Sequence, residues 1–113
     1  MSDDLRAIGQ KALAQNAAPM LKAFGAFNST VMESESEIPR KYKELIAIGV
    51  GLTTQCQDCI TGHTAAAIKA GATQEELAET VFIAAALRAG AAMVHGMKYV
   101  MPSAVESAGH ASH

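Results

Sequence analysis

Apolar residues recur every three to four positions along most of this chain, and β-branched residues never alternate with polar ones over a run long enough for a strand. The pattern predicts an all-α fold, a single compact helical domain of five to six helices. Turn signals divide it. Ser2 is placed to cap a first helix over about residues 3–15, and Pro19 opens a second whose Met20, Phe24, Phe27 and Val31 fall on an inward stripe. "ESESEIP" reads as an acidic connection. Pro39 then opens a third helix, "PRKYKELIAIGVGLTT", in which Leu45, Ile46, Ile48, Val50 and Leu52 predict extensive burial.

The chain should turn at residues 53–55 and enter a fourth helix over about 56–70, ended by Gly71. Thr73 and Glu76 have the spacing of a capping box, which predicts the start of a fifth helix, "QEELAETVFIAAALRAG". Gly90 is a point at which it should kink or break before "AAMVHGMKYV". Pro102 should close the ordered part and leave a frayed tail over about 103–113. No internal repeat or second domain is visible.

Composition changes this picture little. With 113 residues, half of them apolar, the chain can build one core without metal or disulfide staples, so its two cysteines are not needed for folding. A formal charge of -2, with no basic stripe, argues against a nucleic-acid partner. The N-terminus lacks the basic, apolar and small-residue regions of a secretory signal, which leads to the expectation of a cytoplasmic protein. "TVFIAAALRAGAAMVHGM" carries Arg88 and His95 and is rich in Ala and Gly, so it reads as a buried or interfacial helix and not a membrane span.

The chemistry gathers in "TTQCQDCITGH". At about 100° per residue, Cys56, Cys59 and His63 lie within roughly 60° of one another around a helix, and Cys59 and His63 are an i, i+4 pair. A thiolate is the reactive form of cysteine, and two agents here can favour it. The helix N-terminus acts at Cys56, and the imidazole acts at Cys59. The residues alone do not choose between them. Glu44 stands on the flank of the third helix, where it can hold a proton or orient His63. Gly51, two turns on, leaves room beside it for a side chain or water. Against these stand plainer readings: inert small cysteines, a solvated Glu44, and His95 as a core or interface histidine. A zinc site from Cys56, Cys59, His63 and either Glu44 or His95 is weakened by the lack of a second C-x-x-C.

Glu44, Cys56, Cys59 and His63 together form E-x11-C-x2-C-x3-H, and "IPRKYKELIAIGVGLTTQCQDCITGHTAAAIKAGATQEELAETVFIAAAL" resembles the core of the alkyl hydroperoxidase D (AhpD) branch of the carboxymuconolactone decarboxylase superfamily. The resemblance covers about residues 20–100. It implies a thiol-dependent peroxidase with no bound cofactor, which reduces a peroxide and is itself regenerated by an external thiol donor such as the lipoyl group of a lipoylated protein. It also implies that Cys59 becomes the sulfenic acid, that Cys56 gives a proton and closes a Cys56–Cys59 disulfide, and that Glu44 relays the proton through His63. Short relatives of this kind are homo-oligomers, so a trimer or a hexamer of trimers is expected, with the fifth helix at the interface. The chain departs from the pattern at Asp58, where the resembling enzymes carry histidine, and a negative charge there opposes thiolate formation. The alternatives are a lactone-acid decarboxylase, whose branch lacks this cysteine pair, and a non-catalytic thiol redox sensor or scaffold.

Overall fold

The computed structural model describes residues 2–111, and every regular element among them is helical, as the periodicity predicts. By its internal contacts the chain divides into two compact units, Met1–Arg40 and Lys41–His113, each described by itself.

The first unit holds α1 (Ser2–Asn16) and α2 (Ala18–Glu33), joined through the single residue Ala17. The Ser2 side chain, and so its capping role, lies outside the described residues. Pro19 sits in the first turn of α2, where its missing N–H costs nothing. The inward stripe is a correction: Met20, Phe24, Phe27 and Val31 are all exposed, and α2 buries no residue. A unit of two helices has no third surface to close over such a stripe.

The second unit contains α3 (Arg40–Thr54, from Lys41 on), α4 (Gln57–Lys69), α5 (Gln74–His95) and α6 (Met101–Ala111). The helix stops are local chemistry. Gly71 takes φ +100, its N–H bonds the Ile68 carbonyl at 3.0 Å, and the Ala72 N–H bonds the Ala67 carbonyl at 2.9 Å, the paired bonds of a Schellman ending. Thr73 and Glu76 then make the predicted capping box in both directions, at 2.9 and 3.1 Å. The other carboxylate oxygen of Glu76 reaches the Lys41 ammonium at 3.1 Å, which ties the start of α5 to the start of α3.

Two predicted interruptions of the last helix are absent. Gly90 lies inside α5 without a break, since one glycine in a long helix costs only about 1 kcal/mol. Pro102 does not end the ordered chain, and residues 103–111 are helical instead of frayed. Ser112 and His113 are outside the described residues. The helix passes the proline by widening into a π-helical turn, Gly96–Val100, in which the Met101 N–H bonds the Gly96 carbonyl five residues back. That shift accommodates a residue with no N–H of its own.

The buried positions of this unit are few and small. Among the described residues Ile48, Ala67 and Ala84 are the buried apolar ones, and Glu44, Gly51 and Thr80 are buried as well. Of the five apolar residues expected inside from α3, only Ile48 is buried; Leu45 and Leu52 are half-buried, and Ile46 and Val50 are exposed. The run Gln74–Gly109 is long and apolar enough to cross a membrane by length and composition, a test that core helices of soluble proteins also pass. It is also not buried as its sequence predicts, with Phe82, Ile83, Leu87 and Met93 all exposed in the single chain.

Candidate active site

Two consecutive helices and the turn between them build the site. α3 ends with the Cys56 N–H bonded to the Gly51 carbonyl at 3.0 Å and Gln55 at φ 59, a left-handed residue that reverses the chain. This is the same six-to-one closure that ends α4, made with glutamine where Gly71 stands in the other. It delivers Cys56 to the N-cap of α4, with its sulfur accepting the Cys59 N–H at 3.3 Å. Cys59 and His63 follow on the first two turns of α4.

Cys56 and Cys59 are joined as a disulfide, with their Cα atoms 5.2 Å apart. Cys59 is exposed and Cys56 half-buried, so the pair is open to a partner in solution. In the reduced chain, a sulfur at the N-cap faces the first backbone N–H groups of the helix, a setting that favours the thiolate at Cys56.

Behind the pair lies the ion-pairing geometry. Glu44, only 1% exposed, places Oε2 2.6 Å from Nδ1 of His63, whose side chain is 31% exposed. The plainer reading of Glu44 as a solvated residue is therefore corrected: α3 turns it inward although "RKYKE" around it is polar. A carboxylate buried so far must be hydrogen-bonded or paired, and an imidazole one helix away meets that need. The contact also orders the ring. With Glu44 accepting from Nδ1–H, the neutral imidazole keeps its lone pair on Nε2, the nitrogen left free to take a proton.

The space beside Gly51 is filled by a neighbouring helix. A Cβ at Gly51 would lie 3.2 Å from Cγ1 of Ile60 and 3.6 Å from Cβ of Cys59, so α4 packs directly on the bare backbone of α3. Asp58 is exposed in the first turn of α4, between the two cysteines. His95 stands apart on α5, exposed and edge-on to Tyr99 with ring centroids 5.7 Å apart. No group of three or more His, Cys, Asp or Glu is arranged to hold a metal ion among the described residues. On the other side of α3, an open apolar groove of about 540 Å³ runs between α3 and α5, from Tyr42 to Thr53 and past Ile83 and Leu87. The sequence reading missed two features, the left-handed Gln55 and the Lys41–Glu76 pair, and nothing in the local composition marks either.

Comparison with known proteins finds relatives of this chain. The model of the carboxymuconolactone decarboxylase family matches residues 18–101. An uncharacterized protein from the cox locus of Paracoccus denitrificans is 41% identical over 70 residues, which cover 62% of this chain and 63% of that protein. The chain thus spans less than two thirds of that relative. An uncharacterized protein of Cupriavidus necator is 32% identical over 78 residues, 67% of this chain and 69% of the relative. Among solved structures, a protein from Methanobacterium thermoautotrophicum aligns with a TM-score of 0.69 at 30% identity, covering 75% of this chain and 94% of its own. A Burkholderia xenovorans LB400 protein, named after the carboxymuconolactone decarboxylases, aligns with a TM-score of 0.61 at 26% identity, covering 83% of this chain and 65% of its own.

Proposed function

This chain belongs to the carboxymuconolactone decarboxylase family, and from that premise we propose that it is a thiol-dependent peroxidase whose centre is the Cys56–Cys59 dithiol. The observation that carries the reading is the buried Glu44 carboxylate 2.6 Å from His63, on the helix face that also bears Cys59. A buried acid that orients an imidazole one helical turn from a cysteine has the form of a nucleophile, base and orienter arrangement.

In the reaction proposed, Nε2 of His63 takes the proton of Cys59, and the thiolate attacks the outer oxygen of a hydroperoxide. The O–O bond breaks, the alcohol leaves with the proton returned by His63, and Cys59 is left as the sulfenic acid. Cys56 then attacks the Cys59 sulfur and expels hydroxide, which becomes water on gaining the Cys56 proton. The disulfide that results is the form seen in the structure. An external dithiol such as a reduced lipoyl group, free or on a lipoylated protein, restores both thiols by exchange and is itself oxidised. No bound cofactor takes part in this scheme. Assembly as a homo-oligomer, a trimer or a hexamer of trimers, belongs to the same proposal, because apolar surface on α5 and α6 needs a partner.

The test is steady-state consumption of an alkyl hydroperoxide with dihydrolipoamide as donor. Turnover should be lost in Cys59→Ser, while Cys56→Ser should be oxidised once and then trapped by a dimedone-type probe. Labelling of Cys59→Ser at Cys56, with Cys56→Ser unlabelled, reverses the two roles. A disulfide that forms without turnover leaves the redox sensor, and decarboxylation of a lactone acid by the same protein replaces the peroxidase with the lyase for which the Burkholderia protein is named.

A further inference from the structure

Gly51 touches the dithiol centre twice. Its carbonyl accepts the Cys56 N–H at 3.0 Å, and its bare Cα faces the first turn of α4, with an added Cβ falling 3.2 Å from Cγ1 of Ile60 and 3.6 Å from Cβ of Cys59. The same residue is buried and sits two turns along α3 from Glu44. Gly49 offers the contrast: a Cβ there meets nothing within 4 Å. Both glycines weaken the helix equally in propensity, so helix formation does not distinguish them.

We propose that Gly51 is a positioning residue of the dithiol centre, holding Cys56 through its carbonyl and setting through its missing side chain how closely α4, with Cys59 and His63 on it, lies to Glu44. A side chain at this position presses first on Ile60. Because Ile60 and Cys59 are adjacent on one helical turn, the pressure moves Cys59 away from α3 while the turn keeps Cys56 in place. Two consequences follow. The sulfurs are drawn out of the geometry a disulfide requires, which favours the dithiol, and α4 carries His63 together with Cys59 away from Glu44, which weakens the support of the base and disfavours the Cys59 thiolate. The inference takes the Cys56–Cys59 pair from the proposed function, but neither consequence involves a peroxide.

The experiment compares Gly51→Ala and Gly51→Val with Gly49→Ala and Gly49→Val in the full chain. The first readout is the thiol–disulfide equilibrium against dithiothreitol, followed by mass. The second is the pH dependence of Cys59 alkylation in a Cys56→Ser background. The Gly51 series should shift the equilibrium toward the dithiol, by a few-fold for alanine and on the order of tenfold or more for valine. It should also raise the midpoint of alkylation, whereas the Gly49 series leaves both unchanged. Ile60→Ala, which removes the atom nearest the new Cβ, should restore both values in Gly51→Ala, a rescue that also decides the matter if Gly51→Val does not fold. Equal behaviour of the two series, or no rescue by Ile60→Ala, overturns the proposal. Loss of peroxidase activity in the native chain with these shifts intact would overturn the peroxidase reading alone.

Discussion

Oε2 of Glu44 lies 2.6 Å from Nδ1 of His63, across nineteen positions of sequence, and the carboxylate is all but sealed from solvent. One end of the pair is inside and the other reaches the surface, where the exposed Cys59 precedes His63 by one turn. A proton accepted at the surface nitrogen therefore creates an imidazolium whose charge is met from within by the carboxylate.

That relationship predicts coupled defects. In a Cys56→Ser background, His63→Gln and Glu44→Gln should each slow the single oxidation of Cys59 by about 10²-fold, the lower range for a positioned proton acceptor. The double variant should be little slower than the worse single one, since both residues act on one proton path. Stopped-flow oxidation with one equivalent of peroxide measures all three. Fully multiplied effects would mean that Glu44 and His63 act independently.

A second prediction concerns the exposed apolar surface. The buried apolar core of the described residues is Ile48, Ala67 and Ala84, while Phe82, Ile83, Leu87 and Met93 stand exposed on α5. Apolar area exposed on this scale is of the kind that an interface between copies of the chain would bury. Light scattering at micromolar concentration should give the mass of a trimer or a hexamer. Phe82→Asp combined with Leu87→Asp should dissociate it and lower the thermal midpoint by several degrees or more. A monomer of the native chain would refute the assembly.

The third follows from the link between helix starts. Glu76 titrates below the ordinary glutamate range because its carboxylate accepts the Thr73 N–H, and next because it meets Lys41; Lys41 in turn is held above its usual value, first by Glu76. A depressed carboxylate favours the folded state above its unfolded pKa, and that contribution disappears as pH falls through the folded value. The Glu76 side-chain signal in an NMR titration should therefore have an unusually acidic midpoint. Lys41→Met should move it only partway back, because the larger cause, the Thr73 N–H, remains. A full return would make the ion pair the dominant cause.

Periodicity and turn chemistry made the helix order legible, down to the capping box at Thr73 and the stop at Gly71, since both depend on residues within four positions of one another. The stripe of Cys56, Cys59 and His63 was legible for the same reason. Burial was not. Ile46, Val50 and Phe24 have the spacing of core residues, but spacing gives only a face and does not say whether anything covers it in one chain. The course past Pro102 was hidden for a different reason. A proline removes one hydrogen bond, and whether the helix ends there or widens into a π turn depends on the apolar helix continuing on both sides. Glu44 was legible as a candidate from its place on the flank of an apolar helix, two turns before Gly51, and from its spacing to the cysteines. Its burial depends on α3 packing against α4, which no local pattern encodes.

The turn that presents Cys56 carries a cost that sequence gave no sign of, and this yields the last prediction. Gln55 holds φ 59, the left-handed region in which a side chain crowds the backbone by roughly 1–2 kcal/mol. The chain accepts it because the Cys56 N–H must reach the Gly51 carbonyl to close α3. Gln55→Gly relieves the crowding but enlarges the freedom of the unfolded chain, which returns about 0.5–1 kcal/mol of the gain. The net result should be a protein more stable by several tenths to about 1 kcal/mol, read from urea denaturation with an unchanged m-value. Gln55→Val, β-branched at the same position, should instead destabilise by more than 1 kcal/mol, an order-of-magnitude figure for a branched side chain forced left-handed. Because the same turn delivers Cys56 to the N-cap of α4, the valine variant should also form the Cys56–Cys59 disulfide more slowly under mild peroxide. The glycine variant should keep the native rate. Destabilisation by glycine would mean that the Gln55 side chain holds the turn through its own contacts, and that the left-handed backbone is not where the cost lies.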